Sequence, residues 1–241
     1  GGKDIFYARY NLSGGLIGAR RIQGSSNDQA MSISFDTDGN MLLCGVFVGT
    51  VNFNPTGTAV NLASNSGSND GFVAKYDLSA NLLWVKALGG KTNTDFAINV
   101  TSDANNNVIV CGYYSDTCEF QPGVGAARRV GLGVADAYVA NYDATGNYRG
   151  VITYGSQGQY VVAWDVATDN DGYIYATAYA SSNFDAGNDI GNPQIIEVAG
   201  KNAYLLKYDL YGNFYVGANI SYGNGNVTGY CEIGRASCRE R

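Results

Sequence analysis

Asp70-Gly-Phe-Val-Ala-Lys-Tyr-Asp77, then Leu78-Ser-Ala-Asn81, then Leu82-Leu-Trp-Val-Lys-Ala-Leu-Gly89 is the stretch that decides the fold. Two apolar runs flank a short polar turn, the signature of a β-hairpin. Copies of the first run begin at Asp4, Asp136 and Asn202, so the starts are spaced by 66 residues throughout. A fixed period of this length indicates repeated supersecondary units. Residues two apart share one face of a strand. Phe72, Ala74 and Tyr76 therefore form a stripe, matched by Phe6, Ala8 and Tyr10, by Tyr138, Ala140 and Tyr142, and by Tyr204, Leu206 and Tyr208. The opposite face carries Ile5 and Tyr7, Val73, Val139 and Leu205. Two apolar faces imply a sheet covered on both sides. The last position of that second face varies: Arg9, Lys75, Asn141 and Lys207. A long basic stem can lie on apolar surface with its head in water, and Arg9, Lys75 and Lys207 are read that way, with no functional role.

A second hairpin also recurs. Ala30–Asp36 and Met41–Val48 flank Asp38-Gly39-Asn40, and Asp-Gly between alternating runs is a strong turn signal. The later copies are Ala97–Asp103 with Asn107–Tyr114, and Val162–Asp169 with Tyr173–Ala180. A polar, glycine-rich link follows each (Gly49–Asn69, Ser115–Ala135, Ser181–Lys201), and each holds one Phe expected to pin it to the sheet: Phe53, Phe120 and Phe184. One repeat thus supplies four short antiparallel strands, and four-stranded sheets repeated radially make a β-propeller. The expected fold is all-β, a propeller of four-stranded antiparallel blades forming an incomplete ring. The Ala30–Asp36 type is the innermost strand, and the Asp70–Leu88 hairpin forms the outer two. An open solenoid is the rival architecture. The expected division is an outer hairpin at 1–23, blades at 24–90, 91–156 and 157–222, and the start of a further repeat at 223–231. Residues 232–241 break the pattern and resemble translated sequencing-adapter read-through, so they are set aside as an artefact tail.

The phrase Asp-x-Phe-Val-Ala-Lys-Tyr-Asp with Asn81 and Trp84 resembles the SBBP family of β-propeller repeats. So does Gly89-Gly90…Asp95-x-Ala97, followed by Asp103, Asn107-Val-Ile-Val and Gly112-Tyr. The third copy departs from it, with Tyr160 standing where Asp95 would be expected. The resemblance implies blades in large, often secreted or surface proteins. It implies no particular activity, because function resides in sites rather than folds.

Composition agrees with this class. The chain has 241 residues, 45% of them hydrophobic, which suffices for a substantial core. Its 33 Gly and 19 Tyr fit a turn-rich β protein. A net charge of −6 without a Lys/Arg cluster argues against nucleic acid as a partner. No apolar run approaches the ~18 residues of a membrane span. Cys44 and Cys111 occupy equivalent positions and read as buried small hydrophobes, while Cys118 could pair with Cys111 across a bend.

The turns Asp36-Thr-Asp38-Gly-Asn40 and Asp169-Asn-Asp171-Gly172 invite a calcium reading, but Phe47 and Ala180 stand where an EF-hand needs a carboxylate. Asp and Asn also form such turns by bonding their own backbone, which is the preferred reading. With no histidine in the chain and no Gly-x-Ser-x-Gly elbow, nucleophilic catalysis has no support. Paired carboxylates could run glycosidase chemistry, and the candidates on or near inner strands are Asp95 and Asp165. Trp164 beside Asp165 could stack on a sugar. Gly223–Gly229 neither follows a strand nor opens a helix, so it supports no phosphate loop. Asn11, Asn99, Asn219 and Asn226 head glycosylation sequons at about the frequency chance provides. Trp164, Asp165 and Asp95 stand as ligand-contact candidates. No catalytic residue, metal ligand or cofactor is assigned. The expected function is a non-enzymatic scaffold or binding module of a larger secreted or cell-surface protein, with a protein or glycan partner. The alternative is part of a propeller enzyme acting on polysaccharide.

Overall fold

The computed structural model describes residues 2–90, 94–122, 125–187, 194–198 and 202–220. Gly223–Gly229, Asn226, the further repeat start and the tail at 232–241 lie outside the described residues. The chain opens with a hairpin, β1 (Ile5–Tyr10) and β2 (Leu16–Gly24). The first full blade follows: β3 (Gln29–Phe35), β4 (Met41–Phe47), a short ladder of β5 (Thr50–Asn52) and β6 (Asn61–Ala63), then β7 (Asp70–Tyr76) and β8 (Leu82–Leu88). The second contains β9 (Phe96–Ser102), β10 (Val108–Tyr114), the ladder β11 (Thr117–Glu119) with β12 (Arg128–Val130), β13 (Asp136–Tyr142) and β14 (Tyr148–Tyr154). The third contains β15 (Val161–Thr168), β16 (Ile174–Ala180), the ladder β17 (Phe184–Asp185) with β18 (Ile195–Ile196), β19 (Asn202–Tyr208) and β20 (Phe214–Asn219). Sheet orders β3-β4-β7-β8, β9-β10-β13-β14 and β15-β16-β19-β20 are identical and antiparallel throughout. This is an all-β propeller architecture of four-stranded blades.

The stripe faces the preceding unit. Phe72, Ala74 and Tyr76 cluster with Ile5 and Ile22 of the hairpin. Tyr138, Ala140 and Tyr142 cluster with Leu42, Cys44 and Val73 of the first blade. Tyr204, Leu206 and Tyr208 cluster with Ile109, Cys111 and Val139 of the second. The hairpin's own stripe has no such cover: Phe6 is 75% exposed and Tyr10 60%, whereas Phe72 and Tyr76 are fully buried. The aromatic that heads each buried stripe needs a small residue beside it. Gly45 pairs with Phe72 and Gly112 with Tyr138. A Cβ on Gly45 would stand 2.0 Å from the Gln29 carbonyl oxygen and 2.9 Å from the Phe72 ring.

The described parts of the links carry short ladders and buried anchors. Their phenylalanines are buried, with Phe53 4.9 Å from Phe72, Phe120 4.8 Å from Tyr138 and Phe184 5.5 Å from Tyr204 between ring centroids. The stripe's last tyrosine ties down the same link: Tyr76 donates to the Phe53 carbonyl at 2.8 Å and Tyr142 to that of Phe120 at 2.7 Å. The ladders also clip successive units together. Gly24 pairs with Val51, Gly89 bridges to Glu119 and Gly155 bridges to Asp185.

Two expectations are corrected and one alternative is ruled out. Lys75 does not hold its head in water, since Nζ lies 2.8 Å from Asp36 Oδ2 and both side chains are buried. Cys118 does not pair with Cys111, as both are buried free thiols, like Cys44. Tyr160 is not the counterpart of Asp95. The backbone N–H groups of Asp28, Asp95 and Val161 donate to Lys3, Asn69 and Ala135 respectively, so the structural register puts Val161 there.

Candidate binding site between the second and third blades

The outer hairpin of each full blade turns through a five-residue loop: Asp77–Asn81, Asp143–Asn147 and Asp209–Asn213. The leading Asp Oδ1 accepts the backbone N–H groups two and four residues on, and Oδ2 accepts the Asn side chain. The inner turns headed by Asp36 and Asp103 use the same bonds. These carboxylates are engaged as turn acceptors, the role Asp favours by reaching its own backbone. Asp169 does likewise, with Tyr175 supplying the hydroxyl donor to Oδ2. The turn leaves the carbonyl of its second residue free to face the preceding blade.

The variable position on the strand face meets that carbonyl. Arg9 donates to Leu78 at 2.5 Å, Lys75 to Ala144 at 3.2 Å and Asn141 to Leu210 at 3.4 Å. Its cross-strand neighbour decides how well the gap is filled. Lys75 pairs with Trp84, whose Nε1 also donates to Ala144 at 3.2 Å. The indole lies across Gly146 of the turn. Beneath it Lys75 closes the buried ion pair with Asp36. Burial by itself would raise the Asp36 carboxyl, but bonds from Lys75 and Asn40 outweigh it and hold the group below the ordinary carboxylate range.

One repeat later the pair is Asn141 and Gly150. Both are smaller than their counterparts, and a pocket of about 450 Å³ stands where the lysine and indole would lie. Val139, Ile152 and Ile174 give it an apolar floor, while Leu210 and Gly212 of the next turn form one wall. A Cβ on Gly150 would meet nothing within 4 Å. Asn141 is only 4% exposed, and its Oδ1 has no hydrogen-bond partner among the described residues. Such an orphaned buried acceptor carries a desolvation cost of ~1–3 kcal/mol unless something donates to it. Arg129, Tyr148, Arg149 and Tyr211 stand at the rim. Burial raises the Tyr148 hydroxyl, and Arg129, which bonds it, works the other way. The two guanidinium groups make a positive spot on an acidic chain.

The residues singled out from sequence lie elsewhere. Trp164 and Asp165 are in β15 and Asp95 just precedes β9. Trp164 occupies a β-bulge, as do Met31 and Ile98, because the inner-strand register slips at this point in every blade. A bulge re-aims a side chain, which accounts for a large aromatic in an otherwise small-residue strand. Asp165 is buried, pairs with Thr177 and accepts the Val166 N–H at 2.9 Å. Asp95 is 1% exposed, and its two oxygens accept the N–H groups of Gly90 at 2.9 Å and Ser115 at 3.1 Å. Burial pushes its pKa up to about 7 against those bonds. Asp70 and Asp136 cap link backbone in the same manner, Asp70 through Asn65 and Asp136 through Leu132 and Gly133. No group of three or more His, Cys, Asp or Glu that could hold a metal occurs among the described residues. No helix is long and apolar enough to cross a membrane among them. Sequence reading missed the pocket, although a signal existed: the two replacements at Asn141 and Gly150 stand at directly opposed positions of one hairpin.

No family model matches the chain. It is 23% identical, over 186 residues, to an uncharacterized WD repeat-containing protein of Acanthamoeba polyphaga mimivirus. The match takes in 68% of this chain and spans 13% of that relative's length.

Proposed function

We propose that this chain is a non-enzymatic propeller segment, with repeats of SBBP type, that serves as a scaffold and binding module of a larger secreted or cell-surface protein. One observation carries the reading: eight of the acidic side chains, those at the turns and links, are committed to the scaffold. Asp36, Asp77, Asp103, Asp143 and Asp209 hold turns, while Asp70, Asp95 and Asp136 cap backbone. A general acid or base must instead present its carboxyl to a substrate. The likeness to a WD repeat-containing protein and the order of the repeat motifs support the same reading. Incubation with soluble polysaccharides is expected to release no new reducing ends. Release that disappears in Asp165→Asn would replace this reading with the polysaccharide-enzyme alternative. Surface biotinylation of source cells checks the location, and protection of the chain until lysis would overturn that part.

A further inference from the structure

Resting on the binding-module reading, we propose that the pocket at Asn141 and Gly150 is a docking site for an acidic peptide that inserts a tryptophan side chain between the second and third blades. The preceding interface supplies the template. There the chain fills the equivalent gap with its own Trp84, half-buried, packed across Gly146 and bonded to the Ala144 carbonyl. In the second gap Gly212 and the Leu210 carbonyl repeat that seat, and the side chain that would occupy it is absent because Gly150 has none.

Three features define the occupant. Val139, Ile152 and Ile174 at the base are already buried, and Leu210 packed on them offers partly exposed apolar surface that suits an apolar body. Among the described residues the Leu210 carbonyl receives one bond, from Asn141 at 3.4 Å, where Ala144 receives two, so it suits an indole N–H. Arg129 and Arg149 at the rim then face the residues flanking the tryptophan, where carboxylates pair with guanidinium groups. Trp and Arg are among the side chains most enriched in protein–protein hot spots. A sugar fits less well, because its hydroxyls would lie against an aliphatic floor and lose their water without replacement.

The test uses the full chain and a fluorescent peptide with tryptophan between pairs of Asp and Glu. Three competitors accompany it: the same peptide with alanine for tryptophan, a lysine-flanked version, and a uronic-acid oligosaccharide. Fluorescence anisotropy is expected to give a Kd of about 10–100 μM for the acidic tryptophan peptide. The alanine and lysine versions should bind at least about tenfold more weakly. The double variant Asn141→Lys with Gly150→Trp rebuilds the first gap's filling and should abolish binding while melting no lower than the parent. Arg149→Glu, at an exposed residue that leaves the fold alone, should weaken binding about tenfold and remove its salt dependence. Absence of binding overturns the assignment, as does equal binding by the alanine peptide or the filled variant, or displacement by the oligosaccharide in preference to the peptide. None of these results produces polysaccharide turnover, so failure here is distinguishable from failure of the binding-module reading.

Discussion

The two gaps between successive blades share backbone, register and turn chemistry, yet one is plugged and the other open. Between the first and second blades Lys75 and Trp84 reach across to Ala144, and Lys75 carries a buried ion pair with Asp36. Between the second and third, Asn141 and Gly150 leave about 450 Å³ and an unanswered amide oxygen. Repetition thus keeps the same strand pairings and turn bonds at each gap, whatever fills it. Stripe packing and link ladders join the blades, so a pair of side chains facing the next turn can change without removing those contacts. Such positions are where a repeat protein can acquire a site at little cost to its fold.

The strongest way to break the contrast is Lys75→Met. It strands the Asp36 carboxylate in a buried setting, and losing one partner of a buried pair costs about 3–5 kcal/mol. Urea unfolding at pH 7 measures it. The pH profile should change as well. Asp36 has a folded pKa below its unfolded value, so in the parent its contribution is present above about pH 4 and lost as pH falls through the folded pKa. In Lys75→Met burial dominates, the folded pKa rises, and stability contributed by Asp36 should instead decline as pH rises from about 4.

Trp84→Ala should come next. It opens the first gap, and because the indole is half-buried the loss should be about 2 kcal/mol, short of the ~3–5 of a core Trp→Ala change. The same variant should gain weak affinity for the tryptophan peptide, which a single-site titration would detect.

Filling the second gap runs the other way. Asn141→Lys with Gly150→Trp places the lysine near Asp103, which stands where Asp36 does, and packs the new indole against the Leu210 turn. An increase of about 1–2 kcal/mol in unfolding free energy is expected from the burial of that indole. Destabilisation would mean that the two gaps are not interchangeable.

The smallest effect concerns the turns that line the gaps. Gly146 and Gly212 occupy the fourth turn position with φ of 86° and 89°, while Ala80 holds the same place at 66°. A Cβ is disfavoured there, so Ala80→Gly should raise stability by about 0.5–1 kcal/mol, read as a higher melting temperature.

Several of these elements were legible without coordinates. The alternation of Phe72, Ala74 and Tyr76 identifies a two-faced strand, and Asp38-Gly39 marks an inner turn. The link phenylalanines, each one to a repeat, were correctly expected to be anchors. Lys75 was misread because a lone basic residue on an apolar face has two outcomes, solvent or a buried partner. Asp36 lies 39 positions away in sequence, and Ala144 lies 69 away. The bulge at Trp164 was hidden too, since a one-residue slip in pairing leaves no mark in composition. The pocket was missed because Asn141 and Gly150 were each read singly, whereas their meaning lies in being cross-strand neighbours on one face.

The sequence by itself determined the 66-residue period, the hairpins and the stripe, because these follow from local alternation and turn chemistry. Only the tertiary structure decided which face meets which neighbour, which charges are buried and where space is left. Those outcomes depend on contacts between blades, made by residues far apart in the chain, and their burial is set by the side chains that the next blade presents.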